Sequence, residues 1–298
     1  MRIAIAGNGR VATALALALA PRRSGFALSA VWSRRPAAAR AIARRCALDI
    51  AAGTPEAAIS AADLLLVSVT DDAIPAVAGL FARGLRLRGK VVLHTSGALG
   101  AAPLRALRSA GASVGVVHPL AAFPRASSRA AGEIFRRPVG FTIEGDAPAA
   151  RAARKLVARL GGFAVPAPSN RAAYHAAAVM LANHVTVLAA AGLDLVDRRA
   201  GMRGPGVRRA FAALIRTTAD GIEGDGALGA LTGPASRGDV LTLGRHLAVL
   251  RGERPEILDL YLALSREAAR LAAARGSLPA RSLASTLRAL GHPARRAR

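Results

Sequence analysis

Cysteine, lysine and aromatic side chains are nearly missing from this chain. Cys46 is its single cysteine in 298 residues, which excludes an intrachain disulfide and leaves a structural thiol suited to a reducing cytoplasm. Aromatic residues are 3% of the total, so the cores must be built from Ala, Leu, Val and Ile, and stacking platforms for nucleic-acid bases are excluded. Lys90 and Lys155 are the only lysines, so the formal charge of +24 is carried by arginines scattered among alanines along the whole chain. Scattered charge makes no designed patch, and no nucleic-acid partner is expected; the field still draws anionic ligands. Histidines at metal-ligand spacing are absent too, so no metal is expected, and no Gly-x-Ser-x-Gly elbow marks a serine nucleophile.

Unbroken apolar runs are equally scarce in a chain that is 52% hydrophobic and 20% charged, a globular balance. The stretch 172–196 approaches the length of a membrane span, but Tyr174, His175, Asn183, His184 and Asp194 interrupt it. It reads as a buried core helix, with no membrane anchor. The apolar residues after Arg2 have the outline of a secretory leader, yet Gly7-Asn8-Gly9-Arg10 breaks them where a leader must be continuous. The expected location is the cytoplasm.

What the chain does have is alternation. Short apolar runs at 2–6, 27–32, 64–69, 91–94, 113–117, 141–144 and 163–165 are separated by Ala-rich helical stretches at 12–19, 37–45, 74–81 and 149–160. Continuous apolar strands between helices predict an α/β fold with a doubly wound parallel sheet covered on both faces. After Pro166 and Pro168 the strands stop, and long Ala/Leu segments at 171–196, 207–221, 237–250 and 256–274 predict an all-α second domain. The organisation read from this is a nucleotide-binding domain over 1–167, a helical substrate and dimerisation domain over 168–276, and a basic, mobile tail over 277–298.

The first strand runs into Gly7-Asn8-Gly9-Arg10-Val11-Ala12. Strand, glycine turn and helix in that order form the dinucleotide fingerprint. Gly7 permits the turn, Gly9 lets the backbone approach a pyrophosphate, and Ala12 permits close helix packing. The helix offers unpaired N–H groups and a positive dipole end to the phosphates. A site for NAD would place Asp or Glu after the second strand; here stand Ser33, Arg34 and Arg35. A hydroxyl and two guanidinium groups suit a 2′-phosphate, which predicts NADP. Val69 and Thr70, with Thr95, come after the next strands and complete the expected cofactor residues.

Ligands of open α/β sheets lie beyond the carboxyl ends of the strands, where Ser96 and His118 also fall. Asp72 is read as the cap of the helix containing Pro75. His175 and Asn183 share one long helix, and an eight-residue offset sets them about 80° apart around its axis, able to face one cleft. Arg237, in the turn opened by Thr232 and Gly233, can clamp a carboxylate or pair with Asp239.

These segments together resemble a bacterial Rossmann-like family that carries the C-terminal domain of unknown function DUF2520. The resemblance rests on Gly7-x-Gly9-x-x-Ala12, the run His94-Thr95-Ser96-Gly97-Ala98-Leu99, His118-Pro119-Leu120, Tyr174-His175, Asn183, and Thr232-Gly233-Pro234 followed by Arg237-Gly238-Asp239. The family is similar to NADP oxidoreductases with a 6-phosphogluconate-dehydrogenase-like helical domain, pyrroline-carboxylate and ketopantoate reductases among them. Thr70 departs from the Pro common in such loops. The resemblance implies a cleft that includes His118, His175 and Asn183.

The expectation is therefore hydride transfer between NADPH and a small carbonyl compound, with a 2-keto acid such as ketopantoate first to try. Catalytic work falls to His175, Asn183, His118 and Ser96, and substrate binding to Thr232 and Arg237. A cyclic-imine reductase and a non-catalytic NADP(H)-binding regulator are the alternatives. A homodimer is expected, because an apolar helix as long as 171–196 needs covering on several sides.

Overall fold

The computed structural model describes residues 1–20, 25–83, 86–125 and 129–291. The chain divides into two compact units, Met1–Val185 and Thr186–Arg298. In the first unit seven strands form one sheet: β1 (Arg2–Ala6), β2 (Ala27–Trp32), β3 (Leu64–Val67), β4 (Val91–His94), β5 (Ser113–Pro119), β6 (Gly140–Gly145) and β7 (Phe163–Val165). Their spatial order is β2-β1-β3-β4-β5-β6-β7. Burial follows side-chain pattern. Ile3, Ala4, Ile5 and Ala6 of β1 and Leu64 to Val67 of β3 are all buried, as strands covered on both faces must be.

Alternate residues enter two different cores. Ile3, Ile5, Leu64 and Leu66 pack with Leu15 of α1 (Arg10–Leu19) and with Leu156 and Val157 of a long helix near the end of the unit. Ala4, Ala6, Leu65 and Val67 pack on the other side with Ile74, Val77 and Phe81. The helices of this unit continue as α2 (Pro36–Arg45), α3 (Pro55–Ser60), α4 (Ile74–Ala82), α5 (Arg105–Ser109) and α6 (Ala147–Arg159). α6 buries Ala149, Ala152, Ala153, Leu156 and Val157, the i, i+3, i+4, i+7, i+8 stripe of a helix lying on a sheet.

The sheet is not parallel throughout. β1 to β5 are parallel, β5 and β6 are antiparallel, and β7 is parallel to β6. A parallel return requires a crossover element that carries the chain back over the sheet. Between β5 and β6 the described residues hold only the short 3-10 turns Arg129–Gly132 and Ile134–Arg136, and the chain comes back alongside β5 in the opposite sense.

The first unit extends past the predicted boundary at 167, because α7 (Arg171–Val179) is tied to the sheet: Arg171 bonds Glu144 of β6, and Tyr174 bonds His118 of β5. α7 passes through a π-helical turn, Met180–His184, into α8 (Val185–Ala200). This continuous helix, Arg171–Ala200, is long and apolar enough to cross a membrane. The expectation that it lies buried in a core does not hold within one chain: none of its most apolar stretch is buried.

The second unit is helical, with α9 (Pro205–Gly229), α10 (Pro234–Arg237), α11 (Val240–Leu250), α12 (Pro255–Ala274) and α13 (Ala280–Ala289). Its small core joins Ala235, Leu243 and Leu290 with Tyr261 and Leu262. α13 corrects the prediction of a mobile tail over 277–298. Leu278, Thr286 and Leu290 are buried there, and Arg266 Nε donates to the Leu290 carbonyl at 3.1 Å. The basic residues hid an amphipathic pattern; the run 293–298, read as its end, lies outside the described residues.

Candidate functional site

The sheet opens at its carboxyl edge into a cavity of about 930 Å³, the size of a small-molecule or cofactor site. Its floor is built first from glycine. Gly7 takes φ +142° and donates its N–H to the Trp32 carbonyl at 2.8 Å, while a Cβ there would stand 2.1 Å from the Ser68 oxygen. The turn is thus clamped between the ends of β2 and β3, with no room for a side chain. Gly9 is the N-cap of α1, has ordinary φ of −76° and caps with no side chain. A Cβ at Gly9 would meet nothing within 4 Å, so the first-turn amides of α1 face open cavity. This is a cradle for a phosphate-bearing ligand.

Every residue expected to hold the cofactor lines this cavity: Gly7, Asn8, Gly9, Arg10 and Val11, then Ser33, Arg34 and Arg35, then Val69, Thr70 and Thr95. Ser33 is buried, and its Oγ accepts the Arg35 N–H at 3.2 Å, while Arg34 and Arg35 are exposed. The residues present fit a dinucleotide with an extra phosphate on its ribose. Asp72 does not cap α4 as expected. The Thr70 side chain bonds its carboxylate and holds it below the usual carboxylate range, and Arg34 adds a smaller charge effect.

The other end of the cavity holds Ser96, Gly97, His118 and His175. Here the loop after β4 folds on itself. His94 is fully buried; its Nδ1 accepts the Ser96 N–H at 3.2 Å, so its Nε2 carries the proton bonded to the Gly100 carbonyl at 2.7 Å. Burial, first of all, lowers the His94 pKa. His94 therefore shapes the loop and performs no proton chemistry. Ser96 Oγ accepts the N–H groups of Ala98 and Leu99, each at 3.2 Å, which leaves its own proton free for the cavity. Thr95 Oγ1 lies 3.1 Å from Ser68 Oγ.

His118 sits near the carboxyl end of β5, with Nδ1 2.6 Å from the Tyr174 hydroxyl. Burial first, then electrostatic repulsion from the neighbouring His175 and Arg171 side chains, pushes its pKa down to about 4. The imidazole is neutral at pH 7. Between its ordinary value near 6.5 and about 4, the unfolded chain binds a proton that the native chain does not, so stability falls as pH drops through that window. With allowance for solvent screening the loss is up to about 2 kcal/mol. Urea unfolding of wild type and His118→Gln at pH 7 and pH 4.5 measures it: the variant should lose less stability on acidification, and equal losses refute the assignment.

Four residues of this end did not emerge as a group from the sequence. Arg171 donates to the Glu144 carboxylate and to the Gly97 carbonyl, the latter at 3.4 Å, and Tyr174 reaches His118. Arg171, Tyr174 and His175 are spaced i, i+3, i+4, a helix face that the sequence does contain. Glu144 carries no comparable local signal, and Gly97 stands out only as part of the run His94–Leu99.

Asn183 does not share the cavity with His175; it is exposed. The 80° estimate assumed an unbroken α-helix, and the π-turn at Met180–His184 adds a residue to the turn and rotates the side chains beyond it. Thr232 and Arg237 belong to the helical unit. Thr232 lines a separate cavity there of about 420 Å³, among Leu188, Leu195, Leu250, Ile257 and Leu264, with His246 and Tyr261 at its polar edge. Arg237 is exposed and does not line it; it acts on the charge of Asp239, which caps α11 through the Thr242 N–H at 3.0 Å. Among the described residues no group of His, Cys, Asp and Glu is placed to hold a metal.

A dinucleotide cradle opening onto a pair of histidines defines a Rossmann-type nucleotide-binding protein. Residues 1–119 match the Rossmann-like domain and residues 139–268 match the domain of unknown function DUF2520, the pairing to which the sequence motifs point. Among solved structures the chain is similar to a Bacteroides fragilis protein named as an NADP oxidoreductase, at 26% identity and TM-score 0.70, covering 90% of this chain and 98% of that one. It shares its fold with the protein TM1727 of Thermotoga maritima (22% identity, TM-score 0.65, 90% and 99% covered). A reductive aminase of Aspergillus terreus solved with NADPH and ethyl-5-oxohexanoate has the same fold (21%, TM-score 0.61, 95% and 97%). No curated protein matches the chain.

Proposed function

We propose that this protein is an NADP-dependent oxidoreductase that reduces a small carbonyl compound, with a 2-keto acid such as ketopantoate the first candidate. One observation carries the reading: a single cavity runs from the glycine cradle and the Ser33-Arg34-Arg35 corner to Ser96, His118 and His175. NADPH supplies the hydride when bound. The chain's part is to fix the dinucleotide through Gly7 to Val11, to hold the 2′-phosphate with Ser33, Arg34 and Arg35, and to orient the acceptor carbonyl with the Ser96 hydroxyl and an imidazole. Holding donor and acceptor in near-attack geometry supplies up to about 7–11 kcal/mol of the barrier. The name of the Bacteroides fragilis relative supports the cofactor.

Reduction of a C=N bond is the second reading, favoured by the names of the reductive aminase and imine reductase of Aspergillus terreus. Ser96 and the neutral His118 are hydrogen-bond donors, which suits negative charge growing on a carbonyl oxygen better than a cationic iminium. A panel of 2-keto acids and cyclic imines with NADPH decides between them. Protein shown to be folded that oxidises NADPH with none of them overturns both.

Cofactor choice has its own test. Arg34→Glu is expected to weaken NADPH binding about 10- to 100-fold, the loss of one to two charge-assisted hydrogen bonds, and to leave NADH within a few-fold. Unchanged preference in calorimetric titration refutes the phosphate role of Arg34.

We also infer that the active form is a homodimer working in the cytoplasm. α9 buries no residue within the chain, and Leu214, Ile222 and Leu228 on it are exposed, as are Met180 and Leu181 at the π-turn. A solitary helix of this kind is marginal in water, and its apolar side needs a partner surface. The polar first turn of α7, bonded to the sheet, argues against lipid as that partner. Sedimentation at micromolar concentration should give twice the chain mass; a monomer overturns the inference.

A further inference from the structure

Tyr174 has no part in the reduction proposed for this cavity, yet its hydroxyl makes the closest contact to the histidine at the reacting end, 2.6 Å from His118 Nδ1. Three further observations fix that imidazole. A Cβ on Gly97 would lie 2.8 Å from both Cε1 and Nε2 of His118, so the far edge of the ring rests on the bare Gly97 backbone. His118 and Thr142 are cross-strand partners in the β5–β6 ladder, and Thr142 is 2% exposed. Its Oγ1 makes no hydrogen bond of accepted geometry, and it lies near enough to the phenol to offset part of the rise that burial gives the Tyr174 pKa.

The proton shared by Tyr174 and Nδ1 has two possible positions, and one is favoured. Tyr174 O–H donates to Nδ1, and Nε2 carries the imidazole proton toward the cavity. In the reverse arrangement Nδ1–H donates to the phenol oxygen and the phenol proton turns to water; that bond is the weaker one, because a neutral imidazole N–H is a much poorer acid than a phenol O–H and the imidazole nitrogen the better acceptor.

We propose that Tyr174 is a positioning residue that holds His118 as the Nε2–H tautomer and refills it with a proton during reduction. The inference rests on the carbonyl-reduction reading. As the carbonyl carbon is reduced, the oxygen takes the Nε2 proton: the N–H bond breaks and the alcohol O–H forms. The Tyr174 O–H bond breaks as its proton moves to Nδ1, so the imidazole is neutral before and after. The negative charge passes from the substrate oxygen, a far stronger base, to the phenolate; burial raises the Tyr174 pKa, and the Arg171 guanidinium offsets part of that rise. Tyr174 is only half-buried, and water returns the proton. Without that refilling, a neutral imidazole giving up its Nε2 proton would be left as an anion.

Two measurements test this. Imidazole 15N shifts of the unliganded protein, with His118 assigned by loss of its signal in His118→Gln, should show Nε2–H alone in wild type from pH 6 to 9 and a tautomer mixture in Tyr174→Phe. With NADPH and ketopantoate, Tyr174→Phe should lower kcat about 100-fold at unchanged NADPH Kd, and the solvent deuterium isotope effect on kcat should shrink. An Nδ1–H tautomer in wild type, or a Tyr174→Phe enzyme within twofold of wild-type kcat, overturns the relay. Wild type inert with the whole substrate panel overturns the functional reading and the relay's catalytic part, whereas the tautomer result stands or falls independently.

Discussion

Gly7→Ala should abolish dinucleotide binding and unfold much of the first unit, whereas Gly9→Ala, two residues on, should leave the fold intact. The two glycines sit in one turn, but their surroundings are opposite. At Gly7 the added carbon would be 2.1 Å from the Ser68 oxygen and 2.7 Å from its carbonyl carbon, both backbone atoms of the loop after β3, at φ +142°. Neither atom can yield without parting β1 from β3, which are paired through Ile3 to Ala6. Backbone strain and overpacking each cost about 1–3 kcal/mol, a large part of the roughly 5–15 kcal/mol that holds a domain together. At Gly9 the carbon would meet nothing within 4 Å and φ is already −76°, so stability should change little. The carbon would instead occupy the side from which a pyrophosphate approaches, weakening NADPH by about tenfold or more, some 1.4 kcal/mol. Urea unfolding and calorimetric titration of both variants separate the effects. Equal stability losses, or a Gly7→Ala protein that binds NADPH normally, contradict this account of the turn.

The second large effect is expected at Gly97, which touches His118 without bonding to it. Gly97→Ala places a methyl group 2.8 Å from Cε1 and Nε2 of the imidazole. The ring must move, and on its other side it is held by the 2.6 Å contact to Tyr174. Displacing a reacting group by about 1 Å can cost on the order of 100-fold in rate, so kcat should fall by about that factor. Gly97 has no left-handed φ, so backbone strain does not add, and the overpacking should cost about 1–3 kcal/mol of stability. NADPH affinity should shift only a few-fold. A kcat within twofold of wild type refutes the idea that the Gly97 backbone sets the imidazole.

The nucleotide half of the site was legible because its signals are local. Strand, Gly7, Gly9 and the helix start fall within a dozen residues, and the arginines after β2 stand at the expected distance; every residue so chosen lines the cavity. The reacting half was legible only as separate pieces. His118 and Tyr174 are 56 residues apart, and nothing near either announces the other. Arg171 and Glu144 meet across 27 residues because β6 runs antiparallel to β5, a direction that apolar patterning does not encode. Asn183 lies outside this cavity for a different reason: angular arithmetic along a helix assumes uniform turns, and the π-turn that contains it removes that assumption. In and around α13 the arginines drew attention away from Leu278, Thr286 and Leu290, whose burial makes the segment part of the helical core.

By itself the amino-acid order determined the alternation of strands and helices, the switch to an all-helical second part, and the glycine turn with its basic corner. These are properties of a few consecutive residues, whose backbone freedom, periodicity and charge act over one or two turns of chain. Only the tertiary structure decided the reversed direction of β6 and the neutral state of His118, and it alone brought Tyr174 and Gly97 to the two sides of that ring. Burial, tautomer and close approach depend on which distant segments the sheet sets side by side, and that is a property of the assembled core.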